Sequence, residues 1–174
     1  MTPLTPFAFE PLASHHNRVA FACQEPTLET YLKRQASQDV KRHLATCFVL
    51  VAKPGSPVIM GYYILSSYMV QMTVLPTDVA KTSGRYPQVP AVLLGRLAVD
   101  THFQGQGWGS VLLLGALRRV LNARTQVAVK LVVLDALHEQ AAAFYAHFGF
   151  HRFIDNALRL YVTMDEIEAI FPGE

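Results

Sequence analysis

Cysteine, long apolar runs and acidic residues in the middle of the chain are scarce in this sequence, and each shortage closes off a class of protein. Two cysteines in 174 residues are too few for a disulfide scaffold. Both lie in apolar surroundings, Phe21-Ala-Cys23 and Thr46-Cys47-Phe-Val-Leu-Val. A thiol there behaves as a small buried hydrophobe, so Cys23 and Cys47 are expected to be reduced and structural. No stretch approaches the roughly 20 unbroken apolar residues of a membrane span. The nearest, Val111 to Leu121, is interrupted by Arg118 and Arg119. The opening MTPLTPFAFE holds two prolines and no basic region ahead of an apolar stretch, which does not read as a secretory signal; a soluble, cytoplasmic protein is expected. Disorder needs few apolar residues and a high net charge, whereas 51% of this chain is hydrophobic, 16% is charged and the formal net charge is +2. One compact domain spanning residues 1–174 is the expectation.

Neither repeats nor low-complexity tracts divide the chain, but residues 76–90 carry three prolines and a glycine and read as an exposed irregular loop. Upstream, Thr27 or Glu25 is placed to cap a helix from about Leu28 to Leu44, with Leu28, Leu32, Ala36 and Val40 on its buried stripe. Thr46 to Ala52 and Val58 to Met69, separated by Lys-Pro-Gly-Ser-Pro, predict a β-hairpin. An apolar strand at Ala91 to Val99 then passes through a glycine-rich turn into a helix from about Trp108 to Arg124. A further strand at Val127 to Asp135, a helix around Glu139 to Phe148 stopped by Gly149, and a last strand at Leu158 to Met164 complete the order. Hairpin strands followed by alternating strands and helices predict an α/β (α+β mixed) fold, a mixed sheet with helices packed on it.

The segment Val99-Asp-Thr-His-Phe-Gln-Gly-Gln-Gly-Trp-Gly-Ser110 sets Gly105, Gly107 and Gly109 between a buried strand and a helix start. Glycines admit close backbone approach, the first helical amides lack partners, and the helix dipole adds about half a positive charge, so the junction suits a pyrophosphate. A tight turn alone asks for fewer glycines. The dinucleotide fingerprint G-x-G-x-x-G fails here, since Ser110 and Leu112 occupy the positions of its last glycine. The P-loop also fails, because no lysine lies near the loop.

What stands is Gln104-x-x-Gly107-x-Gly109 after a strand, and it resembles the acetyl-CoA pyrophosphate loop of the GNAT acetyltransferase superfamily. In that family a helix, a strand and a second helix follow, the last with a tyrosine just before a Gly-Phe pair. Here that segment is Ala141-Ala-Ala-Phe-Tyr145-Ala-His-Phe-Gly149-Phe150. The resemblance implies a mostly antiparallel sheet flanked by helices and splayed at the central acetyl-CoA-binding strand. It also implies that Leu97, Ala98 and Val99 run along the pantetheine arm, and that Gln104, Gly105, Gln106, Gly107, Trp108, Gly109 and Ser110 surround the pyrophosphate. Tyr145 then has a chemical reason: an amine attacks the thioester and a CoA thiolate leaves. A phenol with pKa near 10 can donate a hydrogen bond or proton to a thiolate whose thiol has pKa near 8.5. Many members have asparagine seven residues before the tyrosine; His138 stands there instead.

Phe21 to Leu50, Arg85-Tyr-Pro-Gln-Val-Pro-Ala91, Leu94-Gly-Arg-Leu-Ala-Val-Asp100 and Leu158-Arg-Leu-Tyr-Val-Thr-Met164 extend the likeness to the GNAT toxins of bacterial toxin–antitoxin pairs, over residues 20–170. That resemblance implies acetylation of the α-amine of aminoacyl-tRNA, a block to translation, a ribbon-helix-helix antitoxin and a homodimer. Gln24 departs from the glycine usual after the cysteine. Lys33, Arg34, Lys41, Arg42, Lys81, Arg85 and Arg96 offer a basic rim for RNA phosphates, against the plainer reading of solvated surface charge. Arg96 differs from the rest because it lies in an apolar strand, where a charge is costly unless paired.

An α-amine near pKa 7.7–8 is substantially neutral at physiological pH and needs little help from a base, unlike lysine. This suits a chain with no glutamate between Glu29 and Glu139, where Asp39, Asp78, Asp100 and Asp135 are the only carboxylates. No metal is expected: Gly149 breaks the helix that would align His147 with His151, and no third ligand is spaced nearby. A hydrolase is unsupported, because G-x-S-x-G is absent. Two alternatives stay open: a housekeeping GNAT acting on a small amine or protein N-terminus, and an acyl-CoA-binding module without turnover.

Overall fold

The computed structural model describes residues 6–174; the first five residues of the N-terminal stretch read above lie outside them. The strands are β1 (Ala8–Pro11), β2 (Thr46–Val51), β3 (Gly61–Gln71), β4 (Gln88–Val99), β5 (Leu131–Asp135), β6 (His151–Arg152) and β7 (Arg159–Thr163). The helices are α1 (Pro26–Arg34), α2 (Ala36–Lys41), α3 (Thr77–Lys81), α4 (Trp108–Ala123), α5 (Glu139–His147) and α6 (Met164–Ile170). The strands form one seven-stranded sheet in the order β1-β2-β3-β4-β5-β7-β6. The ladders β1–β2, β2–β3, β5–β7 and β6–β7 are antiparallel, and β4–β5 is parallel. The mostly antiparallel mixed sheet implied by the resemblance is therefore present. Two compact units divide the chain, one running up to Ser66 and including Gly95–Ala116, the other Ser67–Leu94 with Leu117–Glu174.

In the first unit, the expected hairpin forms with Cys47 opposite Ile64 and Val49 opposite Tyr62. Val49, Val51, Tyr62 and Ile64 share their buried face with Leu32 and Ala36 of the first two helices and with Ala98. Gly61 looks to the opposite face of β3 and permits the start of α4 to close there: a Cβ at this position would meet Leu112 Cδ1 at 2.6 Å and the Ala98 carbonyl at 2.8 Å. The single helix expected over Leu28–Leu44 is two helices, separated at Gln35 with φ −117°. Glu25 is the N-cap, its side chain making no capping hydrogen bond, and Pro26 follows it at the first helical position, where its missing N–H costs nothing. His43 ends α2 in the left-handed region, with φ 60°. The amide of Leu44 donates to the Asp39 carbonyl and that of His43 to the Val40 carbonyl, a Schellman closure with histidine where glycine is usual.

In the second unit, Val89, Ala91, Leu131, Val133, Phe153 and Tyr161 form the core. The parallel ladder pairs Ala91 with Leu131 through Leu93 with Val133 and ends there, although β4 continues to Val99. The stretch read as a wholly irregular loop contains α3, and β4 begins at Gln88 rather than Ala91. The chain's last helix, α6, was not anticipated. Its N-terminus carries a capping box in which Thr163 and Glu166 satisfy each other's backbone amides. Among the described residues no helix is long and apolar enough to cross a membrane.

Candidate active site

The glycine loop follows from the sequence that brackets it. β4 delivers a buried acid, Asp100, whose Oδ2 accepts from the Ala22 amide at 3.0 Å and whose Oδ1 accepts from the His102 amide at 2.8 Å. The Asp100 amide in turn donates to the Met60 carbonyl, and Thr101 donates to the Ala22 carbonyl. Asp100 is thus the fastening that fixes where the strand ends and the loop begins. Sequence reasoning noted it only as a carboxylate, although an aspartate capping a short turn after a strand was a readable signal.

Gly105 and Gly107 have φ of 75° and 87°, the left-handed region that a side chain strains, and nothing lies within 4 Å of where their Cβ atoms would be. The first bond of α4 runs from the Val111 amide to the Gly107 carbonyl, so the amides of Trp108, Gly109 and Ser110 precede the helical ladder. Open amides at the positive end of a 16-residue helix are suited to an anion of pyrophosphate size. The neighbouring side chains are committed to the scaffold. Gln104 Nε2 donates to the Val99 carbonyl at 3.1 Å, Gln106 Nε2 to the His102 carbonyl at 3.3 Å, and Trp108 Nε1 to Gln106 Oε1 at 3.4 Å. The indole of Trp108 is buried against Phe7, with ring centroids 5.8 Å apart. What these three residues leave open to a ligand is their backbone.

Tyr145 lies in the second unit, in the last turns of α5. His138 is the N-cap of that helix and accepts the Ala141 amide on Nδ1 at 3.2 Å, so histidine does here what an asparagine amide oxygen can do. At the other end, Gly149 has φ 96°, its amide donates to the Ala146 carbonyl and the Phe150 amide donates to the Tyr145 carbonyl. This is a Schellman closure, and its customary apolar contact is the ring of Phe150 against that of Tyr145 at 5.8 Å. The Gly-Phe pair therefore has a physical reason: it ends the helix and clamps the tyrosine. Phe144 packs on the same ring at 5.2 Å. Burial pushes the Tyr145 phenol well above its usual range, which keeps it protonated at neutral pH and able to donate.

The basic residues separate into kinds. Arg34, Lys41 and Arg42 are exposed on the first two helices, and Lys33 pairs with Glu29 at 3.5 Å. Arg85 and Lys81 are exposed in the second unit. Arg96 is half-buried, its guanidinium lying 3.7 Å from the centre of the Tyr31 ring. The Tyr31 hydroxyl donates to Asp39 Oδ2 at 2.7 Å and Gln35 Nε2 donates to Asp39 Oδ1 at 3.0 Å, which hold that carboxyl below the usual carboxylate range. Sequence reasoning missed the Tyr31–Asp39 pair.

Carboxylates that could act as a base are largely engaged: Asp39 and Asp100 as described, and Asp135 with Arg159 at 2.8 Å. Burial pushes the Cys47 thiol up to about 12 and raises that of Cys23, so neither is a nucleophile at neutral pH. His151 pairs with Glu166 at 2.6 Å. Glu10, His15 and His16 bring three ligand atoms within 4.8 Å, a grouping not foreseen. The Ala13 amide donates to His16 Nδ1, which puts the proton of the neutral ring on Nε2, and that nitrogen faces Glu10 Oε1 at 2.8 Å. The arrangement is a hydrogen-bonded fastening in which the nitrogen facing Glu10 has no lone pair for a metal.

Residues 45–152 match the family described as acetyltransferase (GNAT) domain. A tRNA-acetylating toxin of Mycobacterium tuberculosis (strain ATCC 25618 / H37Rv) is 34% identical over 151 residues, 87% of this chain and 88% of its own. The structure of AtaT complexed with acetyl-methionyl-tRNAfMet superposes with a TM-score of 0.87 at 27% identity, covering 95% of this chain and 99% of that one. A tyrosine-to-phenylalanine mutant of the AtaT toxin, bound to the C-terminus of the antitoxin AtaR and acetyl-CoA, superposes with a TM-score of 0.79 at 26% identity, covering 95% and 97%.

Proposed function

Since the chain belongs to the acetyltransferase (GNAT) domain family, we propose that it is an acetyl-CoA-dependent N-acetyltransferase whose acceptor is the α-amine of aminoacyl-tRNA, and that it acts as a toxin by blocking translation. The observation that carries this reading is the 34% identity to a tRNA-acetylating toxin across nearly nine-tenths of both chains. The likeness to toxin structures holding an acetylated aminoacyl-tRNA or acetyl-CoA supports it.

Residue roles follow from the local geometry and the family resemblance. The amides of residues 105–110 receive the pyrophosphate of CoA, and Leu97, Ala98 and Val99 run along its pantetheine arm. The free α-amine attacks the thioester carbonyl and forms a tetrahedral intermediate. That intermediate loses the CoA thiolate, which takes a hydrogen bond or a proton from Tyr145; the proton shed by the amine passes to water, and water returns one to the phenol where it has given up its own. No protein base is required, because the attacking amine is substantially neutral at pH 7 to 8.

We also read residues 1–174 as one acetyltransferase domain, working as a homodimer in the cytoplasm, where aminoacyl-tRNA is made and used. A ribbon-helix-helix antitoxin is the inferred partner. Expression of the chain is expected to arrest growth, and Tyr145→Phe to relieve the arrest at equal protein level. Harmless expression of the unaltered chain would count against the toxin.

A further inference from the structure

Arg96 was grouped by sequence with residues that meet RNA phosphates, yet its surroundings differ from theirs. Its guanidinium lies over the Tyr31 ring, with Cζ 3.7 Å from the ring centre. Tyr31 is 6% exposed and is held in turn by its bond to Asp39, which also accepts from Gln35. Arg96 itself is half-buried, so of the two side chains it is the one that reaches solvent. Among the described residues no acceptor takes its N–H donors. A phosphate site is normally an excess of positive charge, but Asp39 is close enough to interact electrostatically with Arg96. The exposed Arg34 and Lys41 are better placed for that work. What Arg96 offers is a planar surface, rigid because it rests on a buried ring, one residue before the strand segment assigned to the thioester arm.

Single-stranded RNA ends are recognised by stacking unpaired bases on aromatic rings and on guanidinium planes. We propose that Arg96, backed by Tyr31, is the stacking platform for the 3′-terminal adenine of the acceptor, the nucleotide whose ribose carries the aminoacyl ester. This rests on the aminoacyl-tRNA reading above and deepens it. The stack holds the part common to all charged tRNAs next to the cofactor strand, leaving amino-acid preference to other residues. A lysine keeps the charge of Arg96 but has no plane, so Arg96→Lys separates stacking from charge attraction.

The test is equilibrium binding of an RNA hairpin ending in single-stranded CCA, compared with the same hairpin whose last nucleotide is abasic. The unaltered protein is expected to prefer the intact end on the order of tenfold. Arg96→Lys and Arg96→Ala are expected to bind both hairpins alike while binding acetyl-CoA as before. The proposal is overturned if the unaltered protein does not distinguish the hairpins, if Arg96→Lys retains the preference, or if either variant loses acetyl-CoA. Acetylation of charged tRNA by the same preparation separates the two levels. If it persists while the preference is absent, only the stacking is wrong; if it too is absent, the acceptor reading beneath it falls as well.

Discussion

Tyr145 is the residue on which the proposed chemistry turns, and its setting constrains what it can do. A phenol raised by burial does not ionise near neutrality, so the proposal casts it as a donor to the leaving thiolate and not as a base toward the amine. Tyr145→Phe is expected to lower kcat for acetyl transfer by about 10²–10⁴ while leaving the acetyl-CoA affinity within about twofold, measured by steady-state kinetics and calorimetry. An unchanged kcat would remove Tyr145 from the reaction. The same burial has a consequence for stability. Tyr31, Tyr62 and Tyr145 are raised from 10.0, and Cys47 from 9.0. An acid raised in the folded state favours folding fully below its unfolded value, and that contribution is lost as pH rises through the folded one. Urea midpoints should therefore hold between pH 7 and 8.5, then fall as pH passes 9 for the thiol and 10 for the phenols. A midpoint that rises above pH 10 would show that these groups ionise more readily in the folded protein than in the unfolded chain.

Helix ends are where this fold exposes its local rules most plainly, and two of them predict opposite outcomes. Gly149 and His43 both occupy left-handed positions in Schellman closures. Gly149→Ala should cost about 1–2 kcal/mol and lower the melting temperature, with kcat falling as Tyr145 loses its clamp. His43→Gly should gain about 1 kcal/mol, with activity unchanged. Thermal unfolding of the two variants checks both signs. Elements framed by glycine and apolar runs were legible in the sequence: α4 and α5 fall within a residue of their expected bounds, and β2 and β3 form the expected hairpin. The break at Gln35 was not, because no glycine or proline marks it and the apolar stripe continues past it. α6 was overlooked even though Thr163-x-x-Glu166 spells a capping box, because the apolar strand before it drew the reading to its own end. The stack of Arg96 on Tyr31 is invisible to sequence, since it depends on packing between a strand and a helix far apart in the chain.

At the scale of the whole molecule, the candidate site was read from two short motifs, and the structure supplies the physical content of each. The glycine loop exposes backbone amides because Asp100, Gln104 and Gln106 are spent holding it in shape. The tyrosine motif ends in Gly-Phe because that pair terminates and clamps the helix. The proposed function asks for one acetyl donor and one acceptor amine. The most direct measurement is transfer of label from acetyl-CoA to a mixture of charged tRNAs, with uncharged tRNA, free amino acids and Tyr145→Phe as controls. Label on charged tRNA alone, lost in the variant, is the predicted result. A protein that binds acetyl-CoA but labels only small amines or peptide N-termini, or labels nothing, would contradict it.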